Sequence, residues 1–428
     1  MSPISITICF MIFAVVMFIW EKIPLAVTSM FVCLGLVITG VIDSKEAFAG
    51  FINTNVILFV AMFIVGGALF ETGMANKIGG IVTKFAKTEK QLIIAIMTIT
   101  GLLSGVLSNT GTAAILIPVV IGISAKSGFS RSKLLMPLVF AAAMGGNLTL
   151  IGAPGNLIAQ SALEDLSMKF SFFDFTKIGM PMLVCGILYF SLWGHKLLPD
   201  IKIKGEVDGD DTVADKDEMN FENVPKWKQN ISLVVLIATI LGMVFEEQVG
   251  IPLHITGAIG ALALVLFGVI SEKQAYESID MQTIFLFGGT LSLAAALEQT
   301  GAGAAIAQSI INMLGDNASP IALLAVLFSI ACVLTNIMSN TATTSLLVPI
   351  GVSIASQIGA DPRAVLMAIV IGGSCAYATP IGMPANTMIF SIGGYKFTDY
   401  IKAGLPLIVV SGIVSIILLP ILFPFFPK

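Results

Sequence analysis

Residues 104–118 read Ser-Gly-Val-Leu-Ser-Asn-Thr-Gly-Thr-Ala-Ala-Ile-Leu-Ile-Pro, and residues 335–349 read Thr-Asn-Ile-Met-Ser-Asn-Thr-Ala-Thr-Thr-Ser-Leu-Leu-Val-Pro. Each stretch sets the triplet Ser-Asn-Thr inside a long apolar segment, 92–125 in the first case and 320–356 in the second. One explanation is a polar turn at a membrane surface that joins two full spans. The two triplets would then lie on opposite faces, separated by about 30 Å of hydrocarbon. A re-entrant helical hairpin instead carries each triplet only to the midplane, one from each side, where its exposed backbone is tolerated because it lines a cavity. The hairpin is the expectation, with Ser108, Asn109, Thr110 and Ser339, Asn340, Thr341 at the two tips.

Downstream of each hairpin lies a second paired motif. Gly145-Gly146-Asn147 through Gly152-Ala153-Pro154-Gly155-Asn156 interrupts the apolar segment 134–161. Tyr377 through Asn386, with Pro380 and Pro384 enclosing Ile381-Gly382-Met383, interrupts 366–391. Gly sites followed by Pro at a first helical position indicate a helix that unwinds and restarts. Close glycine-mediated helix packing is the alternative, but it does not account for Pro and Asn recurring at matched places.

The surrounding composition places these motifs in a membrane. Of 428 residues 56% are hydrophobic and only 11% charged, with a mean hydropathy of +0.97. A soluble chain carries about 25% charge. Residues 199–230 hold 14 of the 48 charged residues, leaving 34 for the other 396, too few to solvate a water-exposed surface. Apolar segments of spanning length fall at 4–20, 25–41, 56–70, 134–161, 175–193, 231–245, 251–270, 283–297, 366–391 and 403–423. The expected fold is therefore an all-α polytopic membrane protein with ten crossings and two re-entrant hairpins. Nucleic acid is excluded as a partner, since the longest charged run, Asp208 to Glu218, is acidic. Cys9, Cys33, Cys185, Cys332 and Cys375 lie in apolar stretches at unrelated spacings and read as small buried hydrophobes. Asp208, Asp210, Asp211 and Asp215 lack the loop pattern of a calcium site and read as a solvated linker.

The halves repeat. At offsets of 228–231 residues, Ala-Leu-Phe-Glu-Thr-Gly (68–73) meets Ala-Leu-Glu-Gln-Thr-Gly (296–301), the triplets and Pro118/Pro349 coincide, and Ile-Gly-Ala-Pro-Gly-Asn (151–156) meets Ile-Gly-Met-Pro-Ala-Asn (381–386). Five crossings per half is an odd number, so the second half enters from the opposite side and the repeats are inverted. Inverted repeats with broken segments at matched positions mark secondary transporters, whose sites lie at the midplane. Seventeen Lys and Arg fall on the side of the 199–230 linker and five on the other: Lys45, Lys169, Lys177, Arg363 and Lys428. The positive-inside rule then puts the linker in the cytoplasm and both termini outside.

The chemistry at such tips suits ions. Ser and Thr hydroxyls, Asn amides and helix-end carbonyls supply neutral oxygens for Na⁺, and the restarting helices point free N–H groups at an anion. Neither the triplets nor the broken loops contain Lys, Arg, Asp, Glu or His. A proton-coupled carrier places an ionisable group there, so coupling to Na⁺ is favoured over H⁺. An intramembrane enzyme needs a nucleophile, an acid/base pair or a metal cluster in the apolar segments, and none is found.

With these motifs in hand, the chain resembles the divalent anion:sodium symporter family, the INDY-type di- and tricarboxylate and sulfate transporters, over nearly its whole length. The resemblance implies a homodimer in which an elevator-like transport domain moves against a scaffold. It assigns 56–165 and 283–392 to the transport domain, and 4–42, 175–270 and 403–423 to the scaffold. It implies one sodium site from Ser104, Ser108, Asn109 and the Gly152 carbonyl, and a second from Thr335, Ser339, Asn340 and the Gly382 carbonyl. Ser104 and Thr335 each stand four residues before a triplet, which on a helix sets their hydroxyls on one face with its first Ser. It further implies substrate contacts from both triplets and from Ala153, Met383 and Pro384. Dicarboxylate carriers of the family commonly have hydroxyl residues at the positions of Ala153 and Met383, and they have one more span before Val56. The expected function is sodium-coupled symport of a small divalent anion, a C4-type dicarboxylate first and sulfate, another oxyanion or a tricarboxylate second, in a bacterial inner membrane.

Overall fold

Proline, hydroxyl and glycine residues fix where the helices start and stop. Ser108, Ser319 and Ser339 accept from backbone N–H groups two or three positions into their helices, and Pro154, Pro362 and Pro384 occupy first-turn positions. Helices Asn109–Ser127, Met281–Thr300 and Asn340–Ile358 each end on a glycine with positive φ: Gly128, Gly301 and Gly359. The computed structural model describes residues 2–20, 22–79, 88–201, 224–314 and 319–426, and among them the chain is helical with no strand. The acidic cluster Asp208–Asp215, Lys84, Lys87 and Lys428 lie outside the described residues.

Among the described residues six helices have the length and composition to cross a bilayer, including Pro3–Trp20, Lys226–Val244, Met281–Thr300 and Phe397–Leu422. Other expected crossings are shorter apolar helices. Leu25–Ile38 and Leu253–Leu266 have 14 residues each, about 21 Å at 1.5 Å per residue. The segments 134–161 and 366–391 are each two helices, Arg131–Gly145 with Pro154–Glu164, and Pro362–Gly373 with Pro384–Ile392. Both interrupted stretches are helical pairs, Glu89–Ser104 with Asn109–Ser127 and Pro320–Thr335 with Asn340–Ile358. In the first pair Ile96 and Thr100 face Leu116, Val120 and Ile123, as an antiparallel hairpin requires.

Three apolar clusters organise the packing. The largest joins both hairpins and both broken helices with Thr176–Leu192 and Phe397–Leu422, and it takes in Val56, Leu58 and Phe59 of Thr54–Glu71 and Ile284 and Phe287 of Met281–Thr300. A second joins Pro3–Trp20, Leu25–Ile38 and Ser44–Ala49 to Met281–Thr300 and the tip of the second hairpin through Met338, Ala342 and Leu346. The third joins Lys226–Val244 and Leu253–Leu266 to Thr54–Glu71. Each long helix following a short one thus packs on the flanking helices of the other half. A Cβ added at Gly289 would lie 2.8 Å from Ser29 Oγ, and one at Gly257 would lie 3.1 Å from Ala61 Cβ, so glycine permits the close crossing in both places. Gln274 Nε2 donates to Glu71 Oε2 at 2.5 Å, and Gln299 donates to Glu46 in the mirrored arrangement. The division expected from sequence joined 56–165 with 283–392 and set 4–42, 175–270 and 403–423 apart; in the packing Thr54–Glu71 and Met281–Thr300 touch both the hairpin cluster and the flanking helices, while Thr176–Leu192 and Phe397–Leu422 pack within the hairpin cluster.

Candidate functional site

Each hairpin tip is built by the same hydrogen bonds. Ser104 Oγ lies 2.8 Å from Asn109 Oδ1 and 2.6 Å from the Ala142 carbonyl oxygen. Thr335 Oγ1 lies 2.7 Å from Asn340 Oδ1 and 2.5 Å from the Gly373 carbonyl oxygen. Both hydroxyl residues are fully buried. The first Ser of each triplet is an N-cap: Ser108 Oγ accepts from Gly111 N at 3.1 Å and Ser339 Oγ from Ala342 N at 3.2 Å. That bond uses one lone pair of each and leaves the hydroxyl proton available. Thr110 and Thr341 are half-buried, and their hydroxyls have no partner among the described residues.

The unwound loops are stapled by their asparagines. Asn156 Nδ2 donates to the carbonyls of Gly146 and Thr149 at 2.9 and 2.8 Å, and Asn386 Nδ2 to those of Ala376 and Thr379 at 2.7 and 3.0 Å. Thr149 and Thr379 in turn donate to the carbonyls of Gly105 and Asn336 at the ends of the first hairpin helices. A Cβ at Gly146 would sit 2.4 Å from Asn109 Oδ1, one at Gly152 would sit 2.5 Å from the Gly146 carbonyl oxygen, and one at Gly382 would sit 2.4 Å from the Thr335 carbonyl oxygen. Glycine therefore brings neutral oxygens together around each tip. Asn156 Oδ1, Asn386 Oδ1, Thr112 Oγ1 and Thr343 Oγ1 add buried oxygens without a partner among the described residues, again as two repeat-related pairs. Hard, uncharged oxygen donors of this kind suit a small monovalent cation.

The two tips meet. Ser108, Asn109, Thr110, Ser339, Asn340 and Thr341 line one cavity of about 520 Å³, together with Ala153, Met383 and Pro384. All nine residues expected to touch the substrate share its wall. Ser104, Thr335, Gly152 and Gly382, expected at sodium, are not among its lining residues; Ser104 and Thr335 are fully buried and bonded to Asn109 and Asn340 of the wall. Helix Asn340–Ile358 is long enough to cross a membrane by itself, so length does not separate a hairpin from a surface turn; the shared cavity does. Four helices, starting at Asn109, Pro154, Asn340 and Pro384, direct their N-termini into it, and among the described residues no Lys, Arg or His lines it. The positive ends of four helix dipoles favour negative charge there.

Several wall residues escaped the sequence reading. Ser374 Oγ lies 2.9 Å from Asn147 Oδ1 and ties the two unwound loops together. Thr344 and Gly155 meet between halves, with a Cβ at Gly155 3.0 Å from Thr344 Cγ2. Met62, Phe63, Phe70 and Leu286 form an apolar wall, and Glu71, Glu277 and Asp280 stand at the mouth.

A family model described as citrate transporter matches residues 15–372. A transporter of Haemophilus influenzae is 30% identical over 94% of this chain and 88% of its own length. A sodium-dependent high-affinity dicarboxylate transporter of Caenorhabditis elegans is 26% identical over 93% of this chain and 78% of its own, and the sodium-dependent dicarboxylate transporter of Staphylococcus saprophyticus is 23% identical over 95% and 83%. The solved MtrF of Neisseria gonorrhoeae covers this chain completely and 97% of its own, with a TM-score of 0.63 at 15% identity, a likeness of fold alone. The relatives are transporters and not enzymes. The chain is an integral membrane transporter and belongs to the citrate transporter family, within the divalent anion:sodium symporter superfamily.

Proposed function

We propose that the protein is a sodium-coupled symporter of small divalent anions, with C4-type dicarboxylates as the first substrate class. The observation that carries this reading is one cavity walled by both Ser-Asn-Thr tips and four helix N-termini, with neutral oxygens clustered beneath each tip. The first ion is held by Ser104, Asn109 and the Gly152 carbonyl, and the second by Thr335, Asn340 and the Gly382 carbonyl, with Ser108 and Ser339 contributing their remaining lone pairs. The anion then sits on the N-termini, bonded by the Thr110 and Thr341 hydroxyls and screened by two cations below it. Sodium-dependent dicarboxylate carriers among the relatives support both parts.

The packing supports an elevator in which the hairpins, the broken helices, Thr176–Leu192 and Phe397–Leu422 move as one unit. Thr54–Glu71 and Met281–Thr300 then belong to the frame and act as its two arms. The repeats are inverted, the linker lies in the cytoplasm of a bacterial cell, both termini lie outside, and the protomers pair as homodimers. A second reading is citrate transport, favoured by the family description. The test is uptake into proteoliposomes and thermal shift with succinate, malate, citrate, 2-oxoglutarate and sulfate, each in Na⁺ and in K⁺. Succinate or malate should accumulate in Na⁺ alone; accumulation of sulfate only, or equal uptake in K⁺, would sink the proposal.

A further inference from the structure

Helix Pro154–Glu164 ends against the frame. Asn53 Nδ2 donates to Ser161 Oγ at 2.8 Å, and Asn55 Nδ2 donates to Glu164 Oε2 at 2.9 Å, with the Thr54 hydroxyl at 3.4 Å from the same oxygen. Gln160 Nε2 donates to Oε1 of that carboxylate at 3.0 Å. Asn55 is buried. One carboxylate is thereby held by amides from two elements across the seam between the hairpin unit and the arm Thr54–Glu71. Hydrogen bonds to an ionised acceptor are about twice as strong as neutral ones. The seam lies at the start of that arm, whereas the cavity opens at its far end beside Glu71, Glu277 and Asp280.

The repeat shows what the opposite seam has instead. Asn53, Thr54 and Asn55 correspond to Met281, Gln282 and Thr283 at an offset of 228, and Ser161 and Glu164 to Ser391 and Gly394 at 230. No hydrogen bond joins 281–283 to 391–394 among the described residues; Gln282 and Thr283 line the open cavity. Met281 brings no polar group and Gly394 no side chain. The closed seam has a latch that the open one has no residues to copy.

We propose that Asn53, Asn55, Ser161 and Glu164 form a gate latch that sets the resting state of the transporter: closed at this seam and open on the face of Glu71. The inference rests on the two-unit movement proposed above. Closing the opposite face gains no equivalent bonds, so in the absence of ions and anion the equilibrium lies toward the arrangement seen here. Binding at the tips must then release the latch for the cavity to change sides.

Gln282→Cys places an accessible reporter at the open mouth. Its labelling by a membrane-impermeant maleimide follows the fraction of molecules open on that side. The full-length protein would be labelled in detergent without substrate, and the modified peptide read by mass so that the native cysteines do not interfere. The parent should label fastest. Glu164→Ala and Asn55→Ala should slow labelling severalfold to about tenfold. Glu164→Gln keeps one carbonyl acceptor and should fall between. A cooperative thermal unfolding transition near that of the parent identifies folded variants, and the milder Glu164→Gln and Asn55→Ala decide the matter if Glu164→Ala does not fold. Equal or faster labelling in these variants overturns the latch. The readout requires no transport, so a parent that labels as expected but fails to accumulate any anion removes the symport reading and leaves the latch standing.

Discussion

Asn109 and Asn340 each orient a buried hydroxyl with Oδ1 while their own helix begins at the cavity wall, so under the proposed function one side chain would serve both the cation and the anion. Replacing either by Ala removes the acceptor of Ser104 or Thr335 and one wall donor together. Each single variant should lose sodium-driven uptake by at least about a hundredfold, on the scale of two lost hydrogen bonds near charge, while thermal unfolding shows a folded protein. Near-normal uptake from both variants would remove the assignment of the tips. Ala153 and Met383 are N-caps whose side chains make no capping bond, and both have extended backbone that a threonine readily adopts. A hydroxyl there could accept from the helix N–H groups and still donate its proton to an anion. Ala153→Thr with Met383→Thr should therefore stabilise the fold by about 1 kcal/mol per cap. It should also tighten dicarboxylate binding about tenfold, since a bond to a charged group contributes roughly 1.5–3 kcal/mol. Calorimetric constants for succinate, citrate and sulfate that all stay unchanged would mean that these positions do not face the substrate.

At the scale of elements, helix Pro154–Glu164 carries a pH signal into the seam. The carboxyl of Asp165 is pushed above the usual carboxylate range by burial first, then by Glu298 on the arm Met281–Thr300 and by its neighbour Glu164. A carboxyl whose pKa is raised in one arrangement binds its proton more tightly there, so acid favours that arrangement. Acidifying that face toward the ordinary carboxylate range should slow opening of the seam, read as slower uptake at fixed Na⁺, and Asp165→Asn should flatten the profile. A profile unaltered by that substitution would show that Asp165 does not report on the seam. The hairpins and broken helices were legible because Ser, Asn, Gly and Pro stand out against an apolar background at matched spacing. Two further matches were equally open to view, Ile23-Pro24-Leu25 with Ile251-Pro252-Leu253 and Lys45-Glu46-Ala47-Phe48 with Lys273-Gln274-Ala275-Tyr276. The partners of the continuous helices were not legible. Thr54–Glu71 and Thr176–Leu192 are both continuous apolar helices, yet the first touches the hairpin cluster at one end and Lys226–Val244 and Leu253–Leu266 along the rest, while the second packs within the hairpin cluster, a long-range fact that periodicity does not carry.

For the whole molecule the deciding question is which cation accompanies the anion. A dianion in this cavity would meet no Lys, Arg or His among the described lining residues, and two like charges without compensation are costly away from water. The carboxylates at its mouth, Glu71, Glu277 and Asp280, lie on the frame arm and the segment leading to the second arm rather than on the hairpin tips. A proton carried with the anion would have no residue at the tips to ride on, whereas two clusters of neutral oxygen stand ready for metal cations. Uptake should accordingly rise sigmoidally with Na⁺, with a Hill coefficient near two, as two coupled ions require. Ser104→Ala and Thr335→Ala each weaken one cluster and leave the other intact. Either variant should bring the coefficient toward about one and raise the Na⁺ needed for half-maximal rate by about tenfold, the size of one lost bond to a charged group. With two monovalent cations per dianion the loaded cavity carries no net charge across the membrane, so a potassium diffusion potential should leave the rate unchanged. Full uptake in sodium-free buffer driven by an imposed pH gradient would overturn sodium coupling, and strong voltage dependence with sodium present would show that more than two ions travel with each anion.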